Sequence, residues 1–230
     1  MSIFVPLTVK CPTCEDEFDV DVVESVNADR RPDLREAIVD GSFQVVSCSH
    51  CAVEFRLDPM FNYLDIGRGQ WLSVLPADRM PDWIDSEDEA NQVFALAYGD
   101  QAPGAANEIG KDLSPRLVFG WPALREKLTA KDLEINDVTL ELTKLAVIES
   151  TGGGPISQGA ELRLLNQQDD NLVFGWIVAN DDNLVEGLTV PHALFQSIVD
   201  KLEDWNEIEK QLQSGPFVDI QKLFFGAGRV

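Results

Sequence analysis

Two cysteine pairs constrain this chain more than any other feature. Cys11-Pro12-Thr13-Cys14 and Cys48-Ser49-His50-Cys51 contain all 4 cysteines of the 230 residues. A Cys-x-x-Cys turn aims two sulfurs at one point, and two such turns brought together present four sulfurs in a tetrahedron. Zn²⁺ suits that set, because it has no d-electron preference for geometry and binds thiolate well. Four thiolates leave no position for water, which disfavours hydrolytic zinc chemistry. The expectation is one structural Zn²⁺ held by Cys11, Cys14, Cys48 and Cys51, with His50 inside the second pair but not needed as a ligand. A closed thiolate site is net negative and calls for N–H donors around the sulfurs. The insert between Cys14 and Cys48 is longer than common zinc-ribbon spacings. Other uses of the same thiols stay open: a redox dithiol, two disulfides or an iron–sulfur centre.

Charge narrows the partners. The chain has 18 basic and 40 acidic residues, a net charge of −22. Residues 1–80 contribute −7 and residues 81–230 contribute −15, so the acidity is general. Such a surface repels nucleic acid and anionic membrane and favours basic protein partners. The only local basic cluster, Arg30, Arg31 and Arg35, is offset by Asp29, Asp33 and Glu36. Met1–Lys10 is too short, and too broken by Pro6, for a signal peptide, and no run is long enough for a membrane span. A cytoplasmic setting, where thiols stay reduced, is the expectation.

The hydrophobic pattern predicts an α+β chain. Residues 1–10 read as a strand, and Phe18, Val20 and Val22 alternate with aspartates as a half-buried strand. Pro32 opens a short helix that Gly41 closes. Short strands lead into and out of the second cysteine pair. Two more strands surround the Gly67-Arg68-Gly69 turn and end before Pro76. The reading is a zinc-ribbon-like antiparallel sheet with one short helix over 1–80. A helix starting near Ser86 and a Gly/Pro-rich linker fill 81–115, and a mixed α/β unit occupies 116–230. In that second unit, helices begin at Pro122 and Asn136-Asp137, with Arg125, Glu126 and Lys127 facing water. Two strands flank the turn at Gln168–Asn171. One long amphipathic helix, near 191–213, carries Leu194, Ile198, Leu202, Trp205, Ile208 and Leu212 as a stripe, either core or the seam of a homodimer. Phe217–Phe225 ends the chain as a strand or docked tail.

The two cysteine pairs, the helix ending in Gly41 and the strand pair ending near Pro76 resemble the CpXC family of bacteria and archaea. That family is named for two Cys-Pro-x-Cys motifs and has no established activity. The resemblance implies a zinc-binding domain, with zinc at Cys11, Cys14, Cys48 and Cys51. The chain departs from the pattern at Ser49, where the family has Pro, and at Glu15 and Ala52, where Gly often follows each pair. Glycine there permits a positive φ.

No catalytic constellation is visible. His192 opens a helix, and the oxygen ligand types at Asp169, Asp170, Asp181, Asp182 and Asn183 lack EF-hand spacing. Gly152–Pro155 lacks the Lys-Ser/Thr of a phosphate-binding loop. The leading expectation is a non-enzymatic, zinc-stabilised protein-interaction or scaffold module of an intracellular complex. A zinc-ribbon component of a nucleic-acid-processing or transcription complex is the alternative. An enzyme, either a thiol oxidoreductase or a hydrolase, comes third.

Overall fold

The structure is a computed structural model that describes residues 2–155, 159–178 and 182–225. Asp181, weighed above as an oxygen ligand, lies outside them. The α+β class holds, with two main sheets and helices between and around them.

Strands β1 (Ile3–Lys10) and β2 (Glu17–Asn27) form a long antiparallel hairpin with the first cysteine pair at its tip. Helix α1 (Pro32–Asp40) follows. Pro at its start fixes φ, and Gly41 ends it at φ +86°, the left-handed cap that Gly adopts without a Cβ clash. A second hairpin, β3 (Val45–Ser47) with β4 (Glu54–Arg56), carries the second cysteine pair at its tip. Strands β5 (Phe61–Asp65) and β6 (Gln70–Leu75) then pair antiparallel.

The main sheet is mixed rather than wholly antiparallel, with the order β1-β2-β5-β6-β7. β2 lies parallel to β5, and β6 lies parallel to β7 (Ser114–Phe119). Parallel neighbours need a crossover. The first crossover contains α1 and the second hairpin. The second contains α2 (Trp83–Ala97) and α3 (Gly104–Gly110). Residues 99–115, read from composition as a linker, are thus the end of a crossover and the start of the edge strand β7. A Cβ on Gly110 would lie 1.9 Å from the Tyr98 carbonyl oxygen, so glycine is what lets this turn pack.

The core does not divide at residues 80 and 115. One face of the sheet packs Val26, Tyr63, Leu72 and Val118 against Ile38 of α1 and against Trp121, Leu124 and Leu128. The other packs Trp71, Leu75, Leu117 and Phe119 against Trp83 of α2 and Phe217 of the tail. Helix α4 (Gly120–Asp132) is therefore shared: its Leu124 and Leu128 face the first sheet, and its Ala130 joins the core of the second.

The second sheet is a three-stranded meander of β8 (Ala160–Gln168), β9 (Asn171–Val178) and β10 (Leu184–Pro191). Helix α5 (Asp137–Ser150) begins at Asn136, whose side chain accepts the Thr139 amide, as the sequence suggested. The long helix expected over 191–213 is broken into α6 (His192–Val199), a 3-10 turn at Leu202–Trp205 and α7 (Asn206–Leu212). No Pro or Gly causes the break. The bend lets Ile198 and Leu202 on one side, and Ile208 and Leu212 on the other, all pack with Val138 and Leu142 of α5. The stripe packs into the chain's own core, with Ile198 and Leu212 buried and Leu194, Leu202, Trp205 and Ile208 half-buried. The tail docks: Phe217, Val218 and Ile220 are buried, and α8 (Gln221–Phe225) follows. Among the described residues no helix is long and apolar enough to cross a membrane.

Candidate metal centre

The two hairpin tips meet, and all four cysteine sulfurs lie within 4.8 Å of one another. Cys11 Sγ is 3.6 Å from Cys51 Sγ, and Cys14 Sγ is 3.6 Å from Cys48 Sγ, each contact joining one tip to the other. Phe18 and Phe55 pack edge to face at 6.2 Å between the hairpins. The first cysteine of each pair is buried, Cys14 is half-buried and Cys51 is exposed.

Both tips use one backbone pattern. Cys11 N–H donates to Asp16 O at 2.9 Å, and Glu15 N–H donates to Cys11 O at 3.0 Å. Cys48 and Val53, then Ala52 and Cys48, repeat these bonds at 2.9 and 3.0 Å. The amides of Thr13 and Cys14 point at Cys11 Sγ from 3.4 and 3.5 Å, and that of His50 points at Cys48 Sγ from 3.4 Å. These are the N–H donors a thiolate cluster needs. The missing glycines leave a mark: Glu15 and Ala52 sit at φ +63° and +61°. The backbone keeps the turn although the side chain resists it. A left-handed L-residue costs about 1–2 kcal/mol, against about 0.5–1 kcal/mol of extra chain entropy lost when glycine is ordered. Ala52→Gly is therefore expected to stabilise the folded protein by about 0.5–1 kcal/mol, read as a rise in denaturant midpoint at unchanged slope.

The thiols cannot all ionise together without a cation. Burial opposes the ionisation of Cys11, but the amides of Cys14 and Thr13 outweigh it and hold the thiol at about 6. For Cys14 the Asp16 amide favours the thiolate, yet burial and the neighbouring sulfurs push the thiol up to about 12. Cys51 is also raised, burial and the Cys11 and Cys48 sulfurs outweighing the Val53 amide. A bound metal cation would remove this conflict, and the donor set, four sulfurs with amides behind them, fits a soft or borderline ion. The His50 imidazole lies outside, with Nδ1 at 3.8 Å from Asp16 Oδ2 on an exposed surface.

The other residues singled out from the sequence do not join this site. Arg31 is held by Asp33 at 2.7 Å, and Arg35 by Asp132 at 2.6 Å. Asp182 Oδ2 accepts from Arg56 and Arg125, each at 2.9 Å, and this ties the second hairpin to α4. His192 packs against Phe195, with ring centroids 5.4 Å apart.

A second cluster escaped the sequence reading. Glu126 and Lys127, expected to face water, are buried because α4 is enclosed by both sheets. Lys144 Nζ lies 2.9 Å from Glu126 Oε2 and 2.6 Å from Glu141 Oε2. Arg163 binds Glu126 at 2.9 Å and Asp219 at 2.5 Å, and also pairs with Glu161. Lys127 donates to Val218 O at 2.6 Å and to Asp137 at 3.2 Å, and Asp137 also takes Arg116 at 2.7 Å. The Ile220 amide donates to Glu141 at 3.0 Å, so the cluster fastens α4, α5, β8 and the tail together. Glu126, Glu141 and Asp219 bring carboxylate oxygens within 4.8 Å, but Lys144 and Arg163 already supply the positive charge there. The available signals were Glu141 and Lys144 one turn apart in an apolar helix, and Glu161 and Arg163 two apart in an apolar strand.

Glu141 makes this cluster sensitive to pH. Burial, with Asp219 and Glu126 adding to it against Lys144 and Lys127, raises its carboxyl from the usual 4.5 to about 7. A raised acid contributes stability in full below pH 4.5 and loses it as pH rises through about 7. The linked free energy is about 3 kcal/mol. Glu126, Asp137 and Asp219 are shifted down, each by cationic neighbours that outweigh burial, so their stabilisation is lost only at more acid pH. Glu161 is also raised by burial, against Arg163, and so adds in the same direction. Glu141→Gln is expected to flatten most of the fall in stability between pH 5 and 8, measured by urea unfolding across that range.

A mixed five-stranded sheet whose β1–β2 tip meets the tip of a separate β3–β4 hairpin, bringing together four sulfurs able to hold a metal ion, defines an α+β protein with a four-cysteine cluster. Over residues 9–144 the chain matches the family model described as CpXC protein, more than half its length, and it belongs to that family. The match runs past β7 and α4 into α5, further than the cysteine-bearing hairpins alone. No curated protein and no solved structure matches.

Proposed function

We propose that this chain is a non-enzymatic protein-interaction or scaffold module of an intracellular complex, with one structural Zn²⁺ at Cys11, Cys14, Cys48 and Cys51. The observation that carries the metal is the meeting of the four sulfurs at two hairpin tips with matching amide hydrogen bonds. Zinc is the ion that four-sulfur knuckles of this kind take as a fold element, and a filled tetrahedron leaves no site for substrate. The interaction reading is supported by the −22 charge and by the exposed apolar side chains Met60, Leu96 and Leu184. Direct nucleic-acid readout is disfavoured by the same charge and by the in-chain pairing of Arg31 and Arg35.

The test has two arms. Protein purified without chelator is expected to contain about one zinc per chain by elemental analysis. Affinity capture from its native cell is expected to return a stoichiometric protein partner. Iron in place of zinc would overturn the metal assignment, and substrate turnover with no partner in any capture would overturn the scaffold reading.

A further inference from the structure

One face of the main sheet is left partly open where α2 stops short of the β1–β2 hairpin. A groove of about 430 Å³ runs there, between α2 and the ends of β1, β2 and β5. Its walls are apolar and exposed: Ile3 at 45%, Met60 at 65% and Val93 at 40%. Its floor is not apolar. Ser25, Asn62 and Ser73 are register partners on three adjacent strands and line the groove as one polar row. Its acidic lining residues are Glu24 and Glu89, both exposed, and among the described residues no Lys, Arg or His lines it. Among the described residues Glu89 pairs with Arg79 at 3.4 Å, at the surface.

Apolar walls, a hydrogen-bonding floor and an acidic rim match one kind of occupant. A long basic side chain buries its methylene stem against apolar surface while its charged head seeks polar and anionic groups. We propose that this groove docks a Lys- or Arg-bearing segment of a partner protein, with the basic side chain seated between Met60 and Val93 and its head directed to the Asn62 row and the Glu24–Glu89 rim. The inference rests on the interaction reading above and specifies its partner chemistry. A second copy of this chain is a poorer occupant, since a two-fold pairing would bring the same carboxylates face to face. An anionic membrane is repelled by the same rim.

The test uses the full chain with its metal and a displayed library of random 16-residue peptides. Three proteins are compared: wild type, Val93→Arg, which places its own guanidinium in the groove, and Glu24→Lys/Glu89→Lys, which reverses the rim. All three positions are exposed, and far-UV circular dichroism with melting checks that each variant is folded. Wild type is expected to select peptides enriched in Lys and Arg beside an apolar residue. Their affinity is expected to fall at least tenfold in both variants and to weaken as salt rises. Selection of no peptides, or of peptides that bind both variants equally, overturns the proposal. A wild-type dimer in sedimentation that Val93→Arg abolishes also overturns it, making a second copy the occupant. The two readings fail separately. A stoichiometric cellular partner that both variants retain removes the groove and leaves the interaction role. Absence of any such partner for wild type removes the role itself.

Discussion

Cys48→Ser is expected to abolish metal binding and to unravel both hairpin tips while the rest of the chain stays folded. Cys48 is 3% exposed and lies 3.6 Å from Cys14 across the junction of the tips, so its sulfur belongs to both hairpins at once. A structural four-thiolate zinc site contributes an apparent binding free energy of about 10–16 kcal/mol, as large as the whole stability of a typical domain. Without metal, Glu15 and Ala52 retain their left-handed backbone with nothing to offset it, and the buried thiols crowd one another. The effect stays local because the sheet core, built from residues such as Val26, Tyr63, Leu72 and Leu124, contains no cysteine. Amide exchange should therefore lose protection over the outer rungs of the β1–β2 ladder, from Leu7↔Val20 to Lys10↔Glu17, and over β3–β4. Protection at β5, β6 and β7 should remain. Loss of the whole fold in Cys48→Ser, or full retention of the tips with metal stripped by chelator, would contradict this account.

Lys144→Met is expected to cost about 3–5 kcal/mol, a large share of the 5–15 kcal/mol typical of a folded domain. The side chain is fully buried and bridges Glu126 and Glu141 at 2.9 and 2.6 Å. Removing it leaves buried carboxylates short of positive charge, and the excess cannot reach water. Arg163 then carries Glu126, Glu161 and Asp219 alone. The damage should spread, because Glu141 also holds the Ile220 amide and Lys127 holds Val218, so the tail loosens with the network. The double variant Lys144→Met/Glu141→Leu is expected to recover part of the loss, since it removes a carboxylate together with its partner. Chemical unfolding of the four proteins of the cycle measures it. A single-variant cost under 1 kcal/mol would show that water enters the cluster.

The four-cysteine cluster was legible because its signal is local. Two Cys-x-x-Cys turns fix where sulfurs point whatever surrounds them, and the helix from Pro32 to Gly41 is written in its own end residues. The α+β class and most strands followed from alternation of residues on a half-buried surface. Linker composition misled at 99–115: Gly and Pro mark turns, but they do not reveal that α3 and β7 lie among those turns.

What the sequence determined by itself was therefore the chemistry of four thiols and the nature of the short elements around them. Tertiary structure decided the rest. It made the main sheet mixed, because the choice of neighbour for β2 and β6 depends on crossovers that bury α1 and α2 rather than on strand composition. It bent 191–213 into two helices, so that one apolar stripe could follow the surface of α5. It drew Glu126, Lys127, Lys144 and Arg163 inside, because α4 lies between two sheets and its outward face meets the second core instead of water. A charged residue on a helix reads as solvent-facing until the element that covers it is known, and that element lies elsewhere in the chain.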